Sequence, residues 1–280
     1  MKISEAIERI KSYHCGIVRG APIDPATSRD QILYGDPERE LTGIVTTCHA
    51  TVDVIRKAKE VGANLIITHE ALFWNHGDHT DWLQDNKTFQ AKAALLDEGG
   101  ITVWRDHDHM HSGIPVGEEW VDGIYYGVVK HLGWEDYCLD SNMKHPRFEF
   151  PEPISVQELG KFLMEKLGLN GIQVIGSMDT MAKRVWICGH IFARNDNETL
   201  KRTEEEDIDT LICLECVDHT VVEYIRDSDM VGRKKTILHT GHFNTEEPGM
   251  RYMVEWLPEA LGEYVPITFA PCADMYQFIV

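Results

Sequence analysis

Histidines and carboxylates gather at three points of this chain. Ile66-Ile67-Thr68-His69-Glu70 ends an apolar run with an imidazole beside a carboxylate. Asp106-His107-Asp108-His109-Met110-His111 ends another with three imidazoles in alternation, and His242-Phe243-Asn244-Thr245-Glu246 follows a third. Imidazole together with carboxylate is the donor set of zinc, manganese, iron or cobalt, whereas oxygen-only sets suit magnesium or calcium. The expected chemistry is therefore metal binding, with two divalent transition ions. Spacing constrains the local conformation. His107 and His111, like His242 and Glu246, are four apart and share a face only if the chain turns helically there. His69 and Glu70 are adjacent and would point to opposite faces of a regular strand. Both reach one site only if the strand breaks at that point.

The elements that must position these groups can be read from pattern. Leu41 to Thr46 predicts a strand. Thr51 caps a helix over 52–61 that stops at Gly62, and 64–68 predicts the strand that carries His69. A second helix over 87–98 ends in Gly99-Gly100, and 101–105 is the strand that delivers the histidine run. Strand–helix–strand alternation predicts a mostly parallel α/β sheet, in which ligands bind beyond the carboxyl ends of the strands. Residues 4–14 predict a helix capped by Ser4, and 117–132 another. Residues 139–154, with Pro146, Pro151 and Pro153, predict a linker. Beyond it, Ser155 and Glu158 form a capping box that opens a helix to Leu167. Strands are expected at 172–175, 184–188 and 210–214, a helix at 218–227, and a strand at 236–239 that carries the His242 cluster. Pro248 fits the first turn of a helix running to Leu261. If the three clusters share one site, the chain divides into a metal-binding lobe of 1–133 plus 236–280 and an inserted second α/β lobe of 134–235.

Composition narrows the function classes. A net charge of −19 opposes nucleic-acid binding, because a phosphate backbone would be repelled. The short run Arg233-Lys234-Lys235 is too small to reverse this. The longest apolar runs fall short of a membrane span, and no apolar signal core follows Met1, so a cytoplasmic location is expected. Seven cysteines are an odd number in such a chain. Cys213 and Cys216 form a C-x-x-C with no second pair, and are expected to be buried thiols rather than ligands.

The combined motifs resemble the NIF-three-like dinuclear metal-centre proteins, which also carry the name type 2 GTP cyclohydrolase I. Thr68-His69-Glu70-Ala71-Leu72-Phe73 is similar to that family's T-H-H-x-L-[IF], and His107 to His111 to its H-x-x-x-D. Gly241-His242-Phe243-Asn244-Thr245-Glu246 is similar to G-H-[YF]-x-T-E, the most specific of the elements. Arg184 to Gly189 resembles R-V-A-v-C-G, and Glu215 to His219 resembles G-E-x-x-x-H. The resemblance runs through nearly the whole chain in order. It implies a two-lobed α/β protomer with mixed sheets flanked by helices, the middle lobe inserted between the two parts of the first. It also implies a homohexamer with paired ions. The ligands it implies are His69, Glu70, His111, His242 and Glu246, with His107 as a sixth.

Two positions depart from the family pattern. Glu70 stands where the second histidine would be, and His111 where the aspartate would be. A carboxylate can share two oxygens between ions, whereas a neutral imidazole offers one lone pair. Any bridging role therefore falls to Glu70 or Glu246. The function implied is a metal-dependent hydrolase of a small molecule, at a C–N bond of a cyclic amide or nucleobase-like ring. His109, Glu215 and His219 are the candidates to carry protons, and His76 and His79 to line an entrance. The alternative is a non-catalytic metal-binding or metallochaperone protein. A His-x-His-x-His site of metallo-β-lactamase or amidohydrolase type fits less well, because the Asp-His ending of the lactamase motif is missing.

Overall fold

A computed structural model describes residues 1–280 except His76, Ala193, Asn195 and Val280. The chain forms two compact α/β units. The first comprises 1–127 and 247–272, and the second comprises 128–246 and 273–280.

The first unit is built on a five-stranded sheet in the order Ile267–Phe269, Ile44–Thr47, Leu65–Thr68, Thr102–Arg105, Ile32–Tyr34. Four strands are parallel and the Ile32–Tyr34 edge is antiparallel. Every residue of the three central strands is buried, as expected where both faces of a parallel sheet are covered. The crossover helix Val52–Val61 begins as its sequence demands. The Thr51 side chain accepts from the Val54 amide, and Gly62 takes the left-handed conformation that ends the helix. Lys87–Gly99 repeats this pattern with Asn86 and Gly100. In-register pairing of Thr68 with Arg105 brings two strand exits side by side, so His69 and Asp106 leave the sheet as neighbours.

The second unit has a sheet in the order Gln173–Gly176, Thr236–His239, Thr210–Cys216, Met181–Ile191, Arg147–Ser155. Its three central strands are parallel and both edges are antiparallel.

Several expectations are corrected. The strand Thr236–His239 pairs with Thr210–Cys216 and Gln173–Gly176, so it lies in the second unit and not in the first lobe. The division comes at Glu246/Glu247, inside the helix His242–Leu261. The second half of the expected linker at 139–154 belongs to the strand Arg147–Ser155. Its prolines are tolerated because it is an edge strand of its sheet, and the one bridge on its outer side, Phe148 to Cys138, lies away from them. Its register with Met181–Ile191 is irregular, and Pro151 and Pro153 fall between the paired stretches. The first helix is Ile3–Tyr13 with Lys2 at its cap; the Glu5 carboxylate accepts from the Lys2 amide, so Ser4 is already helical. The segment expected to be helical from 117 forms a hairpin, Ile114–Val116 with Glu119–Val121, before the helix Gly123–Leu132. Pro248 lies within its helix, not in the first turn. Among the described residues, no helix is long and apolar enough to cross a membrane.

Candidate metal centre

In the first unit the sheet ends at Thr68, and the chain bends as His69 and Glu70 bond back to the Thr47 and Cys48 carbonyls. The strand Thr102–Arg105 exits into the short helix Asp108–Ser112. Asp30, from the preceding loop, organises that exit. Its carboxylate accepts from the backbone amides of His107, Asp108 and His109 at 2.5–2.8 Å. These amides are the donors a helix start leaves unpaired.

The result is a group of three imidazoles, His69, His107 and His111, whose ligand atoms lie within 4.8 Å of one another. The His69 and His107 rings stack at 4.5 Å, and His111 stands edge-on to both at 5.0 and 4.8 Å. Each ring is held through Nδ1. His69 Nδ1 is 3.1 Å from the Asp106 carbonyl, His107 Nδ1 is 3.1 Å from Asp108 Oδ1, and His111 Nδ1 is 2.9 Å from Asp122 Oδ2. An oxygen acceptor at Nδ1 makes that nitrogen the donor and leaves the lone pair on Nε2. Ligating histidines are oriented in this way. The residues therefore fit a divalent transition ion. Burial draws the His107 imidazole below its ordinary value, against the pull of the Asp108 hydrogen bond, which favours the neutral ligand form.

Glu70 sits beside this group with its carboxylate partly committed. Oε2 accepts from Arg105 Nη2 at 2.9 Å, and Oε1 is 3.6 Å from His107 Nε2. Arg105 is wholly buried. It also donates to Asp78 Oδ2 at 3.0 Å and to the His69 carbonyl at 3.2 Å. His109 points elsewhere, with its Nδ1 2.5 Å from Asp30 Oδ2. Burial works against its charged form, but the Asp30 bond and the Asp30 and Asp106 charges outweigh it, so its proton affinity is raised.

The second unit holds another group, His190, Glu215 and His242. His190 and Glu215 are cross-strand partners on adjacent parallel strands, and His242 opens the helix that follows Thr236–His239. Glu215 is shared between them. Oε2 is 2.5 Å from His190 Nδ1, Oε1 is 2.9 Å from His242 Nδ1, and His242 Nε2 is 3.0 Å from Glu246 Oε2. Burial opposes ionisation of Glu215, but the bonds from His190 and His242 hold its carboxyl down at about 2. Both ring nitrogens of His242 face carboxylate oxygens, an arrangement satisfied by an imidazolium or by a cation in place of one proton. His219 is exposed beside Asp218, 3.9 Å away, and is not part of this group. Cys213 and Cys216 are free thiols; Cys213 is buried in the core of this unit, and Cys216 is only half-buried against it. His79 lies in the loop after Phe73, where its amide bonds to Asn75 Oδ1; His76 lies outside the described residues.

Sequence reasoning missed Asp30, Asp108, Asp122, Arg105 and His190. Asp108 stands inside the histidine run and could have been found. The others are ordinary charged residues whose partners are distant in sequence, such as Asp30, 77 residues from His107.

Two α/β units whose strands end in imidazole–carboxylate groups define a candidate metal-binding α/β protein. Residues 17–274 match the Duf34/NIF3 (NGG1p interacting factor 3) family, and the chain belongs to that family. It is 24% identical over 286 residues to a protein named GTP cyclohydrolase 1 type 2 homolog from Clostridium perfringens (strain 13 / Type A), with both chains fully covered. Among solved structures it resembles Staphylococcus aureus hypothetical protein SA1388, with a TM-score of 0.71 and 16% identity over 100% of this chain and 99% of that one. It also resembles a Bacillus cereus protein related to NIF3, with a TM-score of 0.70 and 12% identity over the same shares. At these identities the structural likeness speaks for the fold.

Proposed function

We propose that the protein is a metal-dependent hydrolase of a small molecule, with a C–N bond of a cyclic amide or nucleobase-like ring as its target. The observation that carries the metal reading is the common orientation of His69, His107 and His111, each anchored through Nδ1 to an oxygen acceptor. The ring target rests on analogy with the cyclohydrolase name of the Clostridium relative. A bound divalent ion supplies Lewis-acid chemistry and makes water more acidic at neutral pH. The chain's own part is orientation and proton handling. Asp108, Asp122 and the Asp106 carbonyl fix the three imidazoles, and Glu215 fixes His242 in the second unit. His109, held by Asp30, is the proton carrier in this reading, because the Asp30 bond and charge favour its protonated form over that of an ordinary imidazole. Glu215 is supported as an orienting group rather than a proton carrier.

The first test is elemental analysis of protein purified without chelators, alongside His69→Ala and His242→Ala. The hydrolase reading expects bound transition metal that falls in both variants, and turnover within a panel of cyclic amides and nucleobases. Native protein with no metal and no turnover would sink the reading.

A metal-carrier role is the second reading. It is favoured by the accessibility of the second group, where the His190 and Glu215 side chains are 36% and 31% exposed. Rapid transfer of metal to an apo-acceptor without turnover would select it. Assembly as a homohexamer is also proposed, and light scattering of the purified chain tests it.

A further inference from the structure

Arg29 has no part in the chemistry above, yet it touches the group. Its Nη1 lies 3.1 Å from His107 Nε2, the nitrogen whose lone pair an ion requires. Guanidinium and ion cannot both use that lone pair. The rest of the residue is tethered to Asp108. The Arg29 amide donates to Asp108 Oδ2 at 2.9 Å, and Nε lies 3.4 Å from Oδ1. Asp108 in turn holds His107 Nδ1. An ion on the His107 lone pair would displace Arg29 from it, while the Asp108 contacts would keep the residue nearby. The side chain is half exposed, so its donors would be accessible to a ligand from solvent.

Two cations then stand close together. Asp108 offsets Arg29 only in part, because it also serves His107. Glu70 is committed to Arg105 through one oxygen, and Asp30 to the amides of His107, Asp108 and His109. A ligand with two or more oxygens sharing a negative charge relieves the repulsion, since arginine presents a planar fork of donors matched to such groups. We propose that Arg29 forms, with the ion held by His69, His107 and His111, a subsite for an oxyanion, so that the protein's small-molecule ligand carries a phosphate or carboxylate group. This rests on the metal reading and adds the ligand's chemical class. It also runs against the whole-chain charge of −19, which by itself disfavours anions.

The test titrates cobalt(II)-loaded and metal-free protein with inorganic phosphate and, separately, with malonate, following heat and the cobalt absorption bands. Wild-type protein is expected to bind at least one of the two anions, and about tenfold or more tightly with metal than without. By linkage, the anion tightens metal binding by the same factor. Arg29→Met is expected to weaken anion binding about tenfold or more. It should hold or raise metal affinity without anion, because a competing donor and a positive charge are gone; a merely structural arginine would not produce this opposite pair of shifts. Arg29→Lys, which keeps charge but loses the fork, should fall between. The tighter of the two anions identifies the group. Equal anion affinity in wild type and Arg29→Met overturns the role of Arg29. Anion binding indifferent to cobalt overturns the shared subsite. Failure to load cobalt overturns the metal reading itself, and the metal content shows this before any anion is added.

Discussion

Replacing Asp122 by asparagine separates the metal reading from the stability of the fold. Asp122 Oδ1 accepts from the backbone amides of Ile124 and Tyr125, both at 3.1 Å, at the start of the helix Gly123–Leu132. Oδ2 lies 2.9 Å from His111 Nδ1. Asparagine keeps the first oxygen, and with it the helix cap. It puts an NH2 donor where Oδ2 was, so His111 must offer Nδ1 as an acceptor and carry its proton on Nε2. That removes the lone pair directed toward His69 and His107. Losing such an orienting partner costs about 10- to 100-fold in metal affinity, equivalent to about 1.4–2.8 kcal/mol. Metal-free stability should change by about 1 kcal/mol or less, since one hydrogen bond is exchanged for another. The assay is competition for zinc against a chromophoric chelator, with urea unfolding of the metal-free protein as control. Unchanged zinc affinity would refute the orientation argument. A metal-free protein destabilised by several kcal/mol would show that Asp122 serves the fold instead.

Three further outcomes follow from packing and burial. Arg105→Met removes a wholly buried cation from Glu70, Asp78 and the His69 carbonyl; stripping one partner from a buried ion pair should destabilise by about 3–5 kcal/mol, and a change in urea midpoint worth under 1 kcal/mol would contradict this. Lys92 is buried, donates to the Leu72 carbonyl, and is held down to about 8 by burial. Below pH 8 both folded and unfolded forms carry its proton and the folded state bears the cost, about 3 kcal/mol at most. Between about 8 and 10.5 the unfolded state holds more protons, so stability rises with pH. Lys92→Met should remove that rise, which urea titrations across the interval would detect. Gly249→Ala would put a Cβ 2.5 Å from the Ile124 Cα and 2.8 Å from its carbonyl, so overpacking should cost about 1–3 kcal/mol; a neutral result would mean that the two helices separate easily.

What the sequence revealed was local. The Thr51 cap, the glycines at 62 and 100, and the histidines at strand exits depend on neighbours a few residues away, and the structure carries them where the pattern predicts. Arg147–Ser155 was illegible because its prolines are forbidden only in a central strand, and edge status is a property of the sheet. Membership of Thr236–His239 in the second unit was illegible for the same reason: a four-residue strand with two apolar side chains does not record which sheet it joins. The anchors of the imidazoles were hidden most deeply, because only the folded chain brings Asp30 to the histidine run.

The exchange at Glu70 and His111 gains a physical account from these anchors. A histidine after His69 would need no counter-charge, but a glutamate buried there does. Arg105, at the end of the neighbouring strand and wholly buried, supplies it by way of one oxygen and bonds the His69 carbonyl as well. One carboxylate oxygen is thereby taken up by Arg105, and Oε1 lies 3.6 Å from His107 Nε2. A histidine at 111 in turn needs an acceptor to set its tautomer, and Asp122, already placed as a helix cap, provides one. Each departure from the family pattern thus comes with a buried partner of the opposite character. Two imidazoles set by carboxylates, a third set by a backbone carbonyl and a carboxylate restrained by arginine give the first unit a nitrogen-rich donor set, of the kind that suits zinc, iron or cobalt better than magnesium or calcium.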